Sequence, residues 1–326
     1  MPLPSAVTIP SQHAPQPATP DNMRGILLIT LGFVCFGATD ALAKLLTTEL
    51  PPLQVAWFRQ IGLFSGVVIM LGLRGTHLLR TRHPLVQILR GVMAAASATF
   101  FILALRYVPL ADATAVSFIA PFIVTAIGAL VLRETVGIRR WLAVLAGFAG
   151  MLIVIRPGMG VFHPAIFMVV VAASAFATRQ VLSRVLSGDD SIATTVAYTS
   201  ATSTALLTVP LLLVWETPPA AWIWLVALAM TTCAGVGEIL IIRALDIAQA
   251  VVVAPLQYSM ILWSSLYGFL LFADLPDLWT LAGCSVIVAS GLYTLNRERI
   301  AARRQKDRAA AEAANAAEAA ARTEEI

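Results

Sequence analysis

Apolar residues are grouped along this chain into ten runs, most of about 20 residues, with polar residues collected in the short stretches between them. The runs fall at about 24–46, 53–73, 87–106, 112–132, 141–156, 164–186, 192–214, 220–242, 248–272 and 277–295. That length lets a helix cross roughly 30 Å of hydrocarbon. Backbone groups find no water partner there, so the runs predict helices. Pro51-Pro52, Pro157-Gly158 and Pro218-Pro219 mark tight connections between them. The fold class is therefore all-α integral membrane, with ten transmembrane helices.

A second periodicity lies above the first. ALRYVPLADATAVSFIAPFIVTAIGALVLRETV, residues 104–136, is echoed about 140 residues later from Ala244 onward. At that offset Ala104 matches Ala244, Leu105 matches Leu245, Phe118 matches Tyr258 and Glu134 matches Asp274. FGATDALAK (36–44) and FATRQVLSR (176–184) align in the same register. The chain thus reads as a duplicated unit: repeat 1 over 23–157, repeat 2 over 163–296, five spans in each. An odd number of spans forces the second copy to enter the membrane inverted. Solute sites of such proteins lie near the midplane where the copies meet.

Composition agrees with the pattern. Of 326 residues 59% are hydrophobic and only 12% charged, with mean hydropathy +0.83, whereas soluble domains carry roughly 25% charged residues. The net charge of +4 sits in loops and a tail, so it orients the chain in a bilayer and is no nucleic-acid signal. Arg74, Arg80 and Arg82 follow the second run, Arg133, Arg139 and Arg140 the fourth, and Arg297, Arg299, Arg303, Arg304, Lys306 and Arg308 the tenth. The connections TTELPP, ETPPA and FADLP carry no basic residue; only Arg106 and Arg156 stand near that face. Both termini are expected in the cytoplasm of a cell with a bacterial-type inner membrane. Residues 1–22 lack a positive n-region and predict a disordered tail, and residues 297–326 an Ala-, Glu- and Arg-rich cytoplasmic tail.

Charges inside the spans are the informative ones, because each costs on the order of 2.5–3.5 kcal/mol at mid-helix. Asp40 and Lys44 lie four apart on one helix face; either they pair with each other, or Asp40, alone or with Arg59, borders a solute cavity. Arg59, Arg179 and Gln180 are further cavity candidates, joined by Gln257, Tyr258 and Trp263 on the ninth span. Glu238 follows Gly235-Val236-Gly237 and either pairs with Arg243 or, like Asp40, is a candidate for proton coupling. Arg90, Arg184 and Arg243 lie close enough to helix ends to snorkel. Pro121 and Pro255 interrupt backbone hydrogen bonding within their spans and are hinge candidates. Cys35, Cys233 and Cys284 read as small core residues, and the four His lie outside or at the edges of spans. No catalytic, nucleotide or metal motif occurs, so no cofactor, no metal and no enzyme activity is expected. Any coupling comes from an ion gradient, exchange or the solute's own gradient.

These residues resemble the drug/metabolite transporter superfamily, in its ten-span form with two EamA-type repeats. The resemblance covers about residues 24–295. It rests on ALRYVPLADATAVSFIAPF (104–122), Leu132-Arg133-Glu134, Trp141, Gly147 and Gly150, and more loosely on Ala254-Pro255, Tyr258 and Asp274. TDALAK (39–44) and LPPLQVAWFR (50–59) look like a subgroup holding riboflavin transporters, S-adenosylmethionine transporters and exporters of metal-chelating metabolites. In that subgroup Asp, Lys and Arg recur at the positions of Asp40, Lys44 and Arg59. The resemblance implies a secondary transporter of a small polar organic metabolite, its partners being that solute and the lipid bilayer; a second copy of the chain is a candidate partner. The competing classes are a membrane-embedded enzyme on lipid-linked substrates and a non-transporting scaffold.

Overall fold

A computed structural model describes residues 21–75, 79–131, 137–156, 163–186, 190–248, 253–294, 296–297 and 300. The two tails apart from these residues, Leu132-Arg133-Glu134 and Pro157-Gly158 lie outside the described residues. The described chain is helical apart from its connections. The elements are α1 (Asn22–Leu46), α2 (Pro52–Arg74), α3 (Pro84–Leu105), α4 (Leu110–Ser117), α5 (Ala120–Leu130), α6 (Ile138–Ile155), α7 (Ile166–Val185), α8 (Ile192–Val214) and α9 (Ala221–Ile247). A 3-10 turn at Ala254–Tyr258 leads into α10 (Ser259–Phe272), and α11 spans Leu278–Thr294. Among the described residues, six spans are each long and apolar enough to cross a membrane: α1, α3, α4 with α5, α7, α8 and α9.

The fourth run is one span built from two helices. Pro121 has no N–H to give to the preceding turn. The chain tightens there instead: Phe118 N–H donates to Ala115 O at 3.2 Å and Ile119 N–H to Val116 O at 3.0 Å. These shorter-range bonds keep backbone groups satisfied where lipid would leave them bare. Pro121 then stands in the first turn of α5, where its ring is tolerated. Pro255 is likewise in the first turn of its 3-10 segment. Both prolines start elements; a proline that does lie within a helix is Pro210 of α8.

Packing repeats between the halves. α1 lies against α9 and α7 against α3; α2 packs on α9 and α8 on α3, with α2 and α8 touching each other. At the 140-residue offset these contacts exchange into one another. A residue-level case is Gly62, where a Cβ would come within 2.3 Å of Thr231 O, and Gly91, where one would come within 2.5 Å of Thr202 Cβ. The offset carries Gly62 onto Thr202 and Gly91 onto Thr231, so these two contacts are images of each other. Phe118 and Tyr258, themselves an offset pair, stack at 5.2 Å between ring centroids with 26° between planes. Residues that correspond and also touch lie on a pseudo-two-fold axis. Long apolar side chains cover the outside, Leu213 being 87% exposed and Leu278 82%, a surface whose solvent is lipid.

Candidate solute site

Asp40 stands in the second half of α1 and is only 5% exposed. A lone carboxylate there would be costly, and α2 supplies the answer: Arg59 Nη1 lies 3.1 Å from Asp40 Oδ1. The pair is held by charge, because that oxygen accepts no aligned hydrogen bond. Lys44, one turn further on, turns away from Asp40. Its Nζ donates to Asp274 Oδ2 at 3.0 Å and lies 4.7 Å from the centroid of the Phe272 ring. The Asp40–Lys44 pair that the spacing allows is therefore not formed; each group takes a partner on another helix or connection. Asp274 gets there through a left-handed cap. Ala273 has φ 57°, with its N–H bonded to Phe269 O at 3.0 Å and that of Asp274 to Gly268 O at 3.2 Å.

Arg179 on α7 is half-buried, its guanidinium carbon 4.7 Å from the Phe176 ring centroid. Its Nε is sealed from solvent and donates to nothing. The charges within its electrostatic reach are those of Glu238 and Arg59. Glu238 on α9, also half-buried, feels Arg90 as well, whereas Arg243 is exposed. Arg90 departs from the snorkelling expected of it. Its Nε donates to Ser183 Oγ at 2.8 Å and its Nη1 to Thr195 O at 3.0 Å and to Thr199 Oγ1. Three acceptors on α7 and α8 outcompete the headgroup region for this guanidinium.

Gln180, Ser183 and Arg184 of α7, with Val124 of α5, line a cavity of about 270 Å³. Gln180 is exposed. The ninth-span candidates divide. Gln257 is half-buried on the 3-10 turn. Tyr258 is buried, stacked on Phe118, its hydroxyl against Gly291. Trp263 is half-buried, packs against Gly37 of α1, and its Nε1 has no acceptor. Tyr258 is thus a packing residue between the repeats.

Several inter-repeat ties escape sequence reasoning. On the face where α1 ends, Gln54 Nε2 donates to Glu216 O at 2.8 Å while its Oε1 accepts from Glu216 N–H at 3.0 Å. Arg156 Nη2 lies 2.6 Å from Asp277 Oδ2, and Thr280 Oγ1 bonds Asp112 Oδ1 at 2.8 Å. On the face where α1 begins, Asp190 Oδ2 accepts from Thr81 at 2.6 Å and from Gln87 at 2.8 Å. Asp112, Gln54 and Gln87 were visible as polar residues within or beside apolar runs. Their partners, more than 100 residues away, were not.

A ten-span helical bundle of two interlocking repeats, with buried charges between its helices and a cavity lined in part by Gln180, Ser183 and Arg184, suits a membrane carrier. The profile of the EamA-like transporter family matches residues 23–156 and again 163–296, and the chain belongs to that family. It is similar to an S-adenosylmethionine uptake transporter of Rickettsia prowazekii, 25% identical over 279 residues, covering 85% of this chain and 94% of the relative. A pseudopaline exporter of Pseudomonas aeruginosa is 28% identical over 271 residues (82% and 94%), and a riboflavin transporter of Vibrio cholerae 28% over 295 (87% and 97%). A solved crystal structure shares the fold with TM-score 0.61 and 18% identity over 86% of this chain and 99% of its own. The protein is a multi-pass membrane transporter of the bacterial inner membrane, moving a small-molecule solute; it is not an enzyme.

Proposed function

We propose that the protein carries a small polar organic metabolite, amino-acid-like, nucleoside-like or a vitamin such as riboflavin, by alternating access between two inverted repeats (23–157 and 163–296). Both chain ends face the cytoplasm in this reading. The observation that carries it is a set of charges along the helices: the buried Asp40–Arg59 pair, the half-buried Arg179 and Glu238 in each other's field, and Arg90 held by α7 and α8. Charged groups within a bilayer are rare and commonly mark solute or ion pathways. Exchange of packing contacts between halves supports rocking of one repeat against the other. Asp40 and Glu238 are the acidic groups placed to take up a proton.

Proteoliposomes preloaded with candidate solutes test the proposal. Solute-dependent counterflow is expected, lost in Arg59→Ala although that variant inserts normally. Flux undiminished in Arg59→Ala would remove Arg59 from the pathway, and no flux of any solute through folded protein would remove the function.

A further inference from the structure

On the transporter reading above, we infer that Arg179 receives a carboxylate of the transported solute. The interior cluster of described residues holds three cations, Arg59, Arg90 and Arg179, and two anions, Asp40 and Glu238. Two of the cations are provided for. Arg59 is paired with Asp40, and Arg90 donates to Ser183, Thr195 and Thr199. Glu238 lies in the field of both Arg90 and Arg179. Arg179 donates no hydrogen bond to any described residue; its contacts are the face of Phe176 and a buried, unsatisfied Nε. Its sealed Nε lacks the acceptor that a buried donor requires.

Gln180 and Ser183, the next residue and one turn on from Arg179 along α7, line the cavity of about 270 Å³ together with Arg184 and Val124. Ser183 hydroxyl already donates to Arg179 O at 2.8 Å and accepts from Arg90, which locks this wall of the site. A guanidinium presents parallel N–H groups that match the two oxygens of a carboxylate. The assignment separates the solutes named for the relatives. S-adenosylmethionine bears a carboxylate and riboflavin bears none.

The test uses the full chain in lipid nanodiscs and reads the shift in thermal unfolding midpoint. Probes are S-adenosylmethionine, its decarboxylated form, riboflavin, and a panel of amino acids and small dicarboxylates with their carboxamides. At least one carboxylate is expected to raise the midpoint, its decarboxylated or amidated counterpart needing at least about tenfold higher concentration. Arg179→Gln loses the response; Arg179→Lys, which keeps the charge and loses the fork, retains it about tenfold weakened. Equal responses to carboxylate and counterpart, a wild-type response in Arg179→Gln, or no response to any carboxylate overturns the assignment. Counterflow in proteoliposomes separates the two readings: riboflavin flux without carboxylate binding sinks only Arg179's role, and carboxylate binding without flux of any probe sinks only transport.

Discussion

Lys44 and Asp274 join the end of the first span to the connection before the last, 3.0 Å apart and from opposite repeats. With Arg156–Asp277 and Gln54–Glu216 they form the polar seam on one membrane face. Asp274 is 42% exposed, so solvent screens the pair and its removal is expected to cost about 0–1 kcal/mol. Its effect is expected in conformation. Lys44→Met should increase labelling of Val55→Cys, a fully buried position of α2, by membrane-impermeant maleimide from that face, and the swap Lys44→Asp/Asp274→Lys should reverse it. Labelling unaltered in Lys44→Met would deny the pair a role in closing the face.

Asp40 and Arg59 behave differently because both are withdrawn from water, at 7% and 19% side-chain exposure. Arg59→Met leaves a buried carboxylate without its cation and should lower stability by about 3–5 kcal/mol. Adding Asp40→Leu should recover most of the loss while transport stays absent. Unfolding in mixed micelles of the two single variants and the double variant measures the coupling; additive losses would show that the pair does not act as a unit.

Gly62 and Gly91 are related by the repeat and differ in what they face. An added Cβ at Gly62 meets a carbonyl oxygen, at Gly91 a threonine side chain. Both Gly62→Ala and Gly91→Ala should destabilise by about 1–3 kcal/mol. Thr202→Gly should rescue much of Gly91→Ala, because the nearest atom there is the Thr202 Cβ, and Thr231→Gly little of Gly62→Ala, because a backbone oxygen cannot be trimmed. Thermal midpoints of the four variants and two doubles decide this.

Asp277 precedes α11 and caps it, its Oδ1 accepting from Thr280 N–H at 2.8 Å. That backbone bond and the Arg156 guanidinium hold its carboxyl below the ordinary value of 3.8. Since the folded-state value is the lower one, its contribution is complete above pH 3.8 and fades as pH falls through the lowered value. Asp277→Asn should flatten the acid limb of the stability profile there; a profile identical to wild type would refute the capping account.

Helices were legible because lipid makes one demand on every span, and the ten apolar runs each correspond to a helix or a broken helix. The break at Phe118–Ile119 was half legible: Pro121 showed where bonding would fail, and the tightened turn upstream followed from local bond-making. Partnerships were not legible. Asp40 and Lys44 share a face, yet which neighbour each meets depends on α2 and on the left-handed cap at Ala273. Arg90 looked like a headgroup-seeking residue because Ser183, Thr195 and Thr199 are remote in sequence. The repeat offset held the missing signal, since it carries Arg59 onto Thr199, the hydroxyl that Arg90 reaches.

The Phe118–Tyr258 stack has a mechanical corollary. Under the proposed exchange of conformations between the repeats, a contact between corresponding residues maps onto itself, so these rings would touch in both states. On that proposal, enlarging or shrinking them should alter the speed of loading and unloading together and leave the preferred state to the charges at the rim.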